Sequence, residues 1–184
     1  MKDIDPRYDP TVVRLADGPA ATGQGSLIFL LGEEWQRPSA GVYPSILDYH
    51  EAYKSGKLTP TAVAEALLPL VRRDVKDATK HATAFLGSNV ELIIKAAQES
   101  TERYGKGTYL SPLDGVPVAV KDEEDVRGYK KCLGSKLDYT RTDDATSHCV
   151  QLWQDAGAVL IGKTTMHELG LDTVRCATVA HWRQ

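Results

Sequence analysis

From residue 43 onward the chain alternates apolar and polar positions at two different periods. In SILDYHEAYKSG, Ser45 can cap a helix whose Ile46, Tyr49 and Tyr53 recur at i, i+3 and i+7, with Gly56 as its stop. LTPTAVAEALLPLVRR predicts a second helix, with Thr59 as cap, Pro60 in the first turn and Val63, Leu67, Leu70 and Val71 as its apolar stripe. Pro69 falls inside that stripe and is expected to kink or interrupt the helix. SNVELIIKAAQESTERYGKG predicts a third, with a Ser88–Glu91 capping box, a Val90, Ile93, Ile94 and Ala97 face, and Gly105 at its end.

After Tyr109 the period changes. SPLDGVPVAVKD is a turn followed by the apolar run 116–120, which ends on Lys121 and reads as a buried strand. DDATSHCVQLWQDAG predicts a helix capped by Asp144, with Cys149, Leu152, Trp153 and Ala156 turned inward and Gly157 at its exit. AVLIGKT then supplies a second buried strand. Strand, helix and strand within about fifty residues predict a crossover unit, and so an α/β sheet flanked by helices.

Residues 1–42 show no sustained period and are punctuated by Pro6, Pro10, Pro19 and Pro38. They read as an extended arm with one short strand at 27–31. The chain has 184 residues, 42% hydrophobic and 26% charged, with a formal net charge of -3, the balance of a globular domain. That balance gives no electrostatic footprint for nucleic acid, and Arg72-Arg73 and Lys130-Lys131 read as solvated surface pairs. The run 27–31 is too short to span a bilayer. MKDIDPRYDP lacks the basic patch and apolar stretch of a secretory leader, and Cys132, Cys149 and Cys176 form no disulfide or zinc-ribbon pattern, so the expected location is the cytoplasm.

Gly157 to Thr164, GAVLIGKT, matches the spacing of a phosphate-binding loop. Such a loop needs a strand before it and a helix after it, and a turn flexible enough to wrap its amides around an anion. Here a helix comes first, and the four residues Ala158, Val159, Leu160 and Ile161 suit a sheet interior. The match is one of spacing, and no nucleotide or other cofactor is expected. His148-Cys149 and His167-Glu168 lack a further ligand at i+3 or i+4, so no metal site is expected either. Asp143-Asp144 reads as a helix cap, and Cys149 and Trp153 as core.

Four pieces occur in order: LDGVPVAVKD, Gly134-Ser135, Asp144-Ala145 and DAGAVLIGKTTMHELG. Together they resemble the N-terminal part of the amidase signature family, and YPSILDYHEAYKSGKLTPTAVAEALL resembles the helices that precede that core. The resemblance implies a mixed sheet with flanking helices, here the partial α/β fold made of the N-terminal helices and the first strands. It divides the chain into the arm 1–42, an amidase portion 43–174 and a tail 175–184. It also implies hydrolysis of carboxamide C–N bonds by a Ser–cis-Ser–Lys triad, with a small-molecule amide as substrate and no metal.

The position of Lys121 matches the family's catalytic lysine. A lysine that takes a proton from a serine must be uncharged, and burial at the mouth of an apolar strand is expected to favour that form. Ser135 and Ser147 are the serines that follow Lys121, and neither stands in the glycine-rich setting of the family's nucleophile. The pattern holds through ELGLDT and breaks at VRCATVAHWRQ. The sequence therefore reads as a truncated, catalytically incomplete amidase portion. The second reading is a non-catalytic module that binds a partner, or itself, through an open sheet edge.

Overall fold

A computed structural model describes residues 44–171. The arm 1–42, its strand at 27–31 and the tail 175–184 lie outside the described residues. Helix α1, Ile46–Lys54, starts at a capping box in which Asp48 N donates to Ser45 Oγ and Ser45 N donates to Asp48 Oδ2. Its inward residues are Asp48, Ala52 and Tyr53. Ile46 faces out, contrary to the expected stripe, because the capping carboxylate occupies the inward position of the first turn.

Helix α2, Pro60–Val71, is capped by Thr59, whose Oγ1 accepts from Ala62 N at 3.1 Å. Pro69 does not interrupt it. The proline is exposed and in the last turn, so its missing N–H removes one bond, and Arg72 N still donates to Leu68 O at 3.1 Å. A 3₁₀ turn, Lys80–Ala84, leads into strand β1, Phe85–Gly87; the sequence pattern foretold neither.

Helix α3, Val90–Lys106, buries Ile93, Ala97 and Ser100. Its cap is Asn89, whose Oδ1 accepts from Leu92 N at 3.2 Å, rather than the expected Ser88. It ends at Gly107, where φ is +69°, two residues beyond the expected Gly105.

Strand β2 is Pro117–Lys121, helix α4 is His148–Asp155, strand β3 is Val159–Thr164, and a 3₁₀ turn follows at Glu168–Gly170. The sheet order is β1-β3-β2, with β3 parallel to β2 and antiparallel to β1. The β2–α4–β3 connection is the crossover that the sequence predicts. Val159 and Ile161 pack on Ala64, Val71, Ile93 and Ala97 of α2 and α3. On the opposite face, Leu160 packs with Val120, Val126 and Val150 of α4.

Helix α4 differs most from expectation. Its N-cap is Ser147, whereas Asp144 takes φ +46° in the preceding loop, where its Oδ1 accepts from Gly128 N at 3.1 Å. Val150 is the residue turned inward, and Cys149, Leu152 and Trp153 are exposed. Spacing identifies residues that share a face, but not which face meets the sheet.

The turn before β2 is fixed by a buried ion pair. Arg103 of α3 forks onto Asp114 with Nε–Oδ2 at 2.8 Å and Nη2–Oδ1 at 2.7 Å, and Leu110 N donates to Oδ2 at 2.9 Å. Gly157, with φ +94°, lies against this carboxylate: a Cβ there would sit 2.5 Å from Asp114 Oδ1. Burial pushes the Asp114 carboxyl up, but the Arg103 fork and the Leu110 amide outweigh it and hold it below the usual carboxylate range. Its stabilisation is therefore complete above the ordinary aspartate pKa and is lost as pH falls through the depressed folded value. Arg103→Met should cost about 3 kcal/mol at pH 7 in urea unfolding, with a smaller loss at pH 3. An equal loss at both pH values would contradict this assignment.

Candidate active site

Lys121 closes β2, and its backbone lies opposite Thr164 at the end of β3. These are the carboxyl ends of two parallel strands, the part of an open α/β sheet where ligands commonly bind. Exposure alternates along the strand and two residues past it: Ala119 out, Val120 in, Lys121 out, Asp122 in, Glu123 out. Lys121 and Glu123 consequently project to the same side, and Lys121 Nζ meets Glu123 Oε2 at 3.2 Å.

The expected burial of Lys121 is not observed. Its side chain is 50% exposed, because β2 is an edge strand among the described residues and the period of two turns Val120, not Lys121, toward the core.

The buried lysine is Lys163, one residue from the end of β3 and 1% exposed. Its Nζ lies 3.1 Å from Asp122 Oδ1 and donates to the carbonyls of Asp122 at 3.2 Å, Glu124 at 2.6 Å and Lys130 at 3.4 Å. Asp122 is fully buried. Its Oδ2 accepts from Cys132 N at 3.1 Å, Cys132 Sγ at 3.0 Å and Gly134 N at 3.3 Å. Its own amide donates to Thr164 O at 3.1 Å and so prolongs the β2–β3 ladder.

A charge this deep is tolerated because each pole has several partners. Burial, with the Asp122 carboxylate at its sulfur, pushes the Cys132 thiol up to about 11. Cys132 is thus a proton donor within the network and a poor nucleophile at neutral pH.

Gly134 brings the loop onto the segment after β3. Its φ is +69°, and a Cβ there would lie 2.5 Å from Met166 O. Leu169 N donates to Leu133 O at 2.8 Å, and both leucines have positive φ, +52° and +50°. A cleft of about 790 Å³ lies beside this assembly, lined in part by Ser88, Asn89, Lys130, Cys132 and Lys163. Lys131, expected as solvated surface, is mostly buried and pairs with Asp125 at 2.9 Å.

The remaining candidates are structural in their contacts. Ser135 Oγ donates to Cys132 O at 2.8 Å, and Ser147 stands at the N-cap position of α4 without a side-chain capping bond, its amide donating to Asp125 O at 2.8 Å. Asp143 pairs with Arg141 rather than capping α4. Among the described residues, no three His, Cys, Asp or Glu side chains cluster in a way that could hold a metal ion. Sequence reasoning missed Asp122 and Lys163. The available signal was the alternation of the strand: with Val120 facing in, Asp122 is a candidate for the same side, and a buried carboxylate calls for a cation nearby.

The Amidase family profile matches residues 69–178. A fatty acid amide hydrolase of Medicago truncatula is 36% identical over 142 residues, which span 76% of this chain and 23% of that protein. A fatty acid amide hydrolase of Arabidopsis thaliana is 35% identical over 133 residues, 71% of this chain and 22% of that protein. The native peptide amidase of Stenotrophomonas maltophilia superposes with a TM-score of 0.60 at 25% identity, over 69% of this chain and 26% of that one. The chain therefore spans about a quarter of the length of the relatives it matches. The matched profile, these relatives and the superposed fold agree: the chain belongs to the amidase family.

Proposed function

We propose that these residues form the N-terminal part of an amidase active site, in which Lys121 is the proton-relaying lysine of a Ser–cis-Ser–Lys triad that hydrolyses a small-molecule carboxamide. The observation that carries this reading is the seat of Lys121: the carboxyl end of a parallel strand, pointing away from the core, in the segment that the family profile matches. A serine arriving from outside these residues would meet the ε-amine there. The amine would accept the hydroxyl proton through the second serine while the first attacks the amide carbon, and the proton would then pass to the departing amine.

Glu123 is the group that such a serine would displace. The ion pair is half-exposed and weak, so breaking it costs little. Among the described residues, the side-chain partner of the Lys121 amine is Glu123 and not a serine, so the described residues alone are not expected to turn over amides.

Two measurements test this. A fluorophosphonate probe should leave the 184-residue chain unlabelled, and labelling of any serine that disappears in Lys121→Ala would show that these residues hold a nucleophile of their own. In a chimera carrying residues 69–178 in place of the matching segment of the Stenotrophomonas peptide amidase, Lys121→Ala should lower kcat by about 10²- to 10⁴-fold. Unchanged turnover would remove Lys121 from the chemistry. The edge of β2 further predicts concentration-dependent association in sedimentation velocity, and a monomer at all concentrations would count against it.

A further inference from the structure

Asp122 and Lys163 occupy the best-connected polar site among the described residues, yet neither side chain points where Lys121 points. We propose that Asp122 is a positioning residue: its inward-anchored carboxylate fixes the first residue of the turn that leaves β2, so that Glu123 stays on the side to which the strand already directs Lys121, and Lys163 is the counter-charge that locks it there. The catalytic meaning of this arrangement rests on the reading of Lys121 above, whereas the arrangement itself does not.

The basis is geometric. Lys121 is held in the ladder opposite Thr164, and the chain then turns, Glu124 N donating to Lys121 O at 3.1 Å, so Asp122 and Glu123 are the two central residues of that turn. Here parity persists to Glu123, because Asp122 N is held by Thr164 O and Asp122 Oδ2 by the amides of Cys132 and Gly134. Lys163 reaches the same carboxylate from the neighbouring strand and also holds the carbonyls of Asp122 and Glu124. The peptide units on both sides of Asp122 and Glu123 are thus tied down while the Lys121 and Glu123 side chains stay on the outside. The 3.2 Å Lys121–Glu123 contact is a direct report of that parity, since it requires both residues on one face. A loop without the anchor would sample both faces and lose the contact for part of the time.

The test uses the 184-residue chain and needs no turnover, so it is independent of whether Lys121 acts on a serine. A zero-length carbodiimide should join Lys121 to Glu123, as read by mass spectrometry of the digested protein. In Asp122→Asn the yield of that link per folded molecule should fall about tenfold, with the far-ultraviolet spectrum retained. Cys132→Ala removes one donor to the carboxylate and leaves the Lys163 pair, and should lower the yield about twofold; this variant decides the matter if Asp122→Asn does not fold. A yield unchanged in the variant that folds, even with a lowered melting temperature, would make Asp122 structural only and overturn the proposal.

Discussion

Lys163 buries an ammonium group at the carboxyl end of the central strand of a three-stranded sheet, and the arrangement of the strand ends follows from how that charge is satisfied. An unpaired ion at such a depth would be prohibitive. Asp122 supplies the opposite charge, and the carbonyls of Asp122, Glu124 and Lys130 share the lysine's remaining donors. Those carbonyls belong to the chain leaving β2, so satisfying the lysine folds that chain back over the end of β3. The carboxylate in turn draws in Cys132 and Gly134, and Gly134 seats the loop against Met166 and His167. One ion pair thereby joins two parallel strands and the two loops that follow them.

Such a pair adds little to net stability relative to a well-packed apolar substitute, but removing one member leaves a stranded charge. Its value lies in geometry. A reactive group on a strand whose neighbours are fixed is held more narrowly than one on a loop. Lys121 is exposed, and Asp122 directly behind it is completely buried. The residue that would do chemistry and the residue that holds the backbone are adjacent in sequence and opposite in direction.

Most of the fold is legible in the pattern of apolar positions. The caps at Ser45 and Thr59, the two strands ending on Lys121 and Thr164, and the crossover between them follow from local periodicity and turn chemistry. Strand β1 is not legible, because three residues are too few for a period to register. Nor is the direction of α4, because Val150 and the Leu152–Trp153 pair offer two apolar faces and tertiary contact chose Val150. Lys121 stands out through family resemblance, but its surroundings do not follow from the sequence. An apolar run suggests burial on both sides, whereas among the described residues one face of β2 is covered and the other, with Ala119 and Lys121, is exposed. Lys163 escapes notice because a lysine that follows an apolar strand is ordinarily taken to emerge from it, and its partner lies 41 residues earlier.

The central claim is that Asp122 and Lys163 act as a single unit. The most direct measurement is a double-mutant cycle on unfolding free energy with Asp122→Asn, Lys163→Met and the pair together. The two single changes should each cost about 3 kcal/mol, and the double change should cost far less than their sum, with a coupling of about 2 kcal/mol or more. Additive losses, with coupling below about 0.5 kcal/mol, would mean that the two charges do not depend on each other, and would contradict the account.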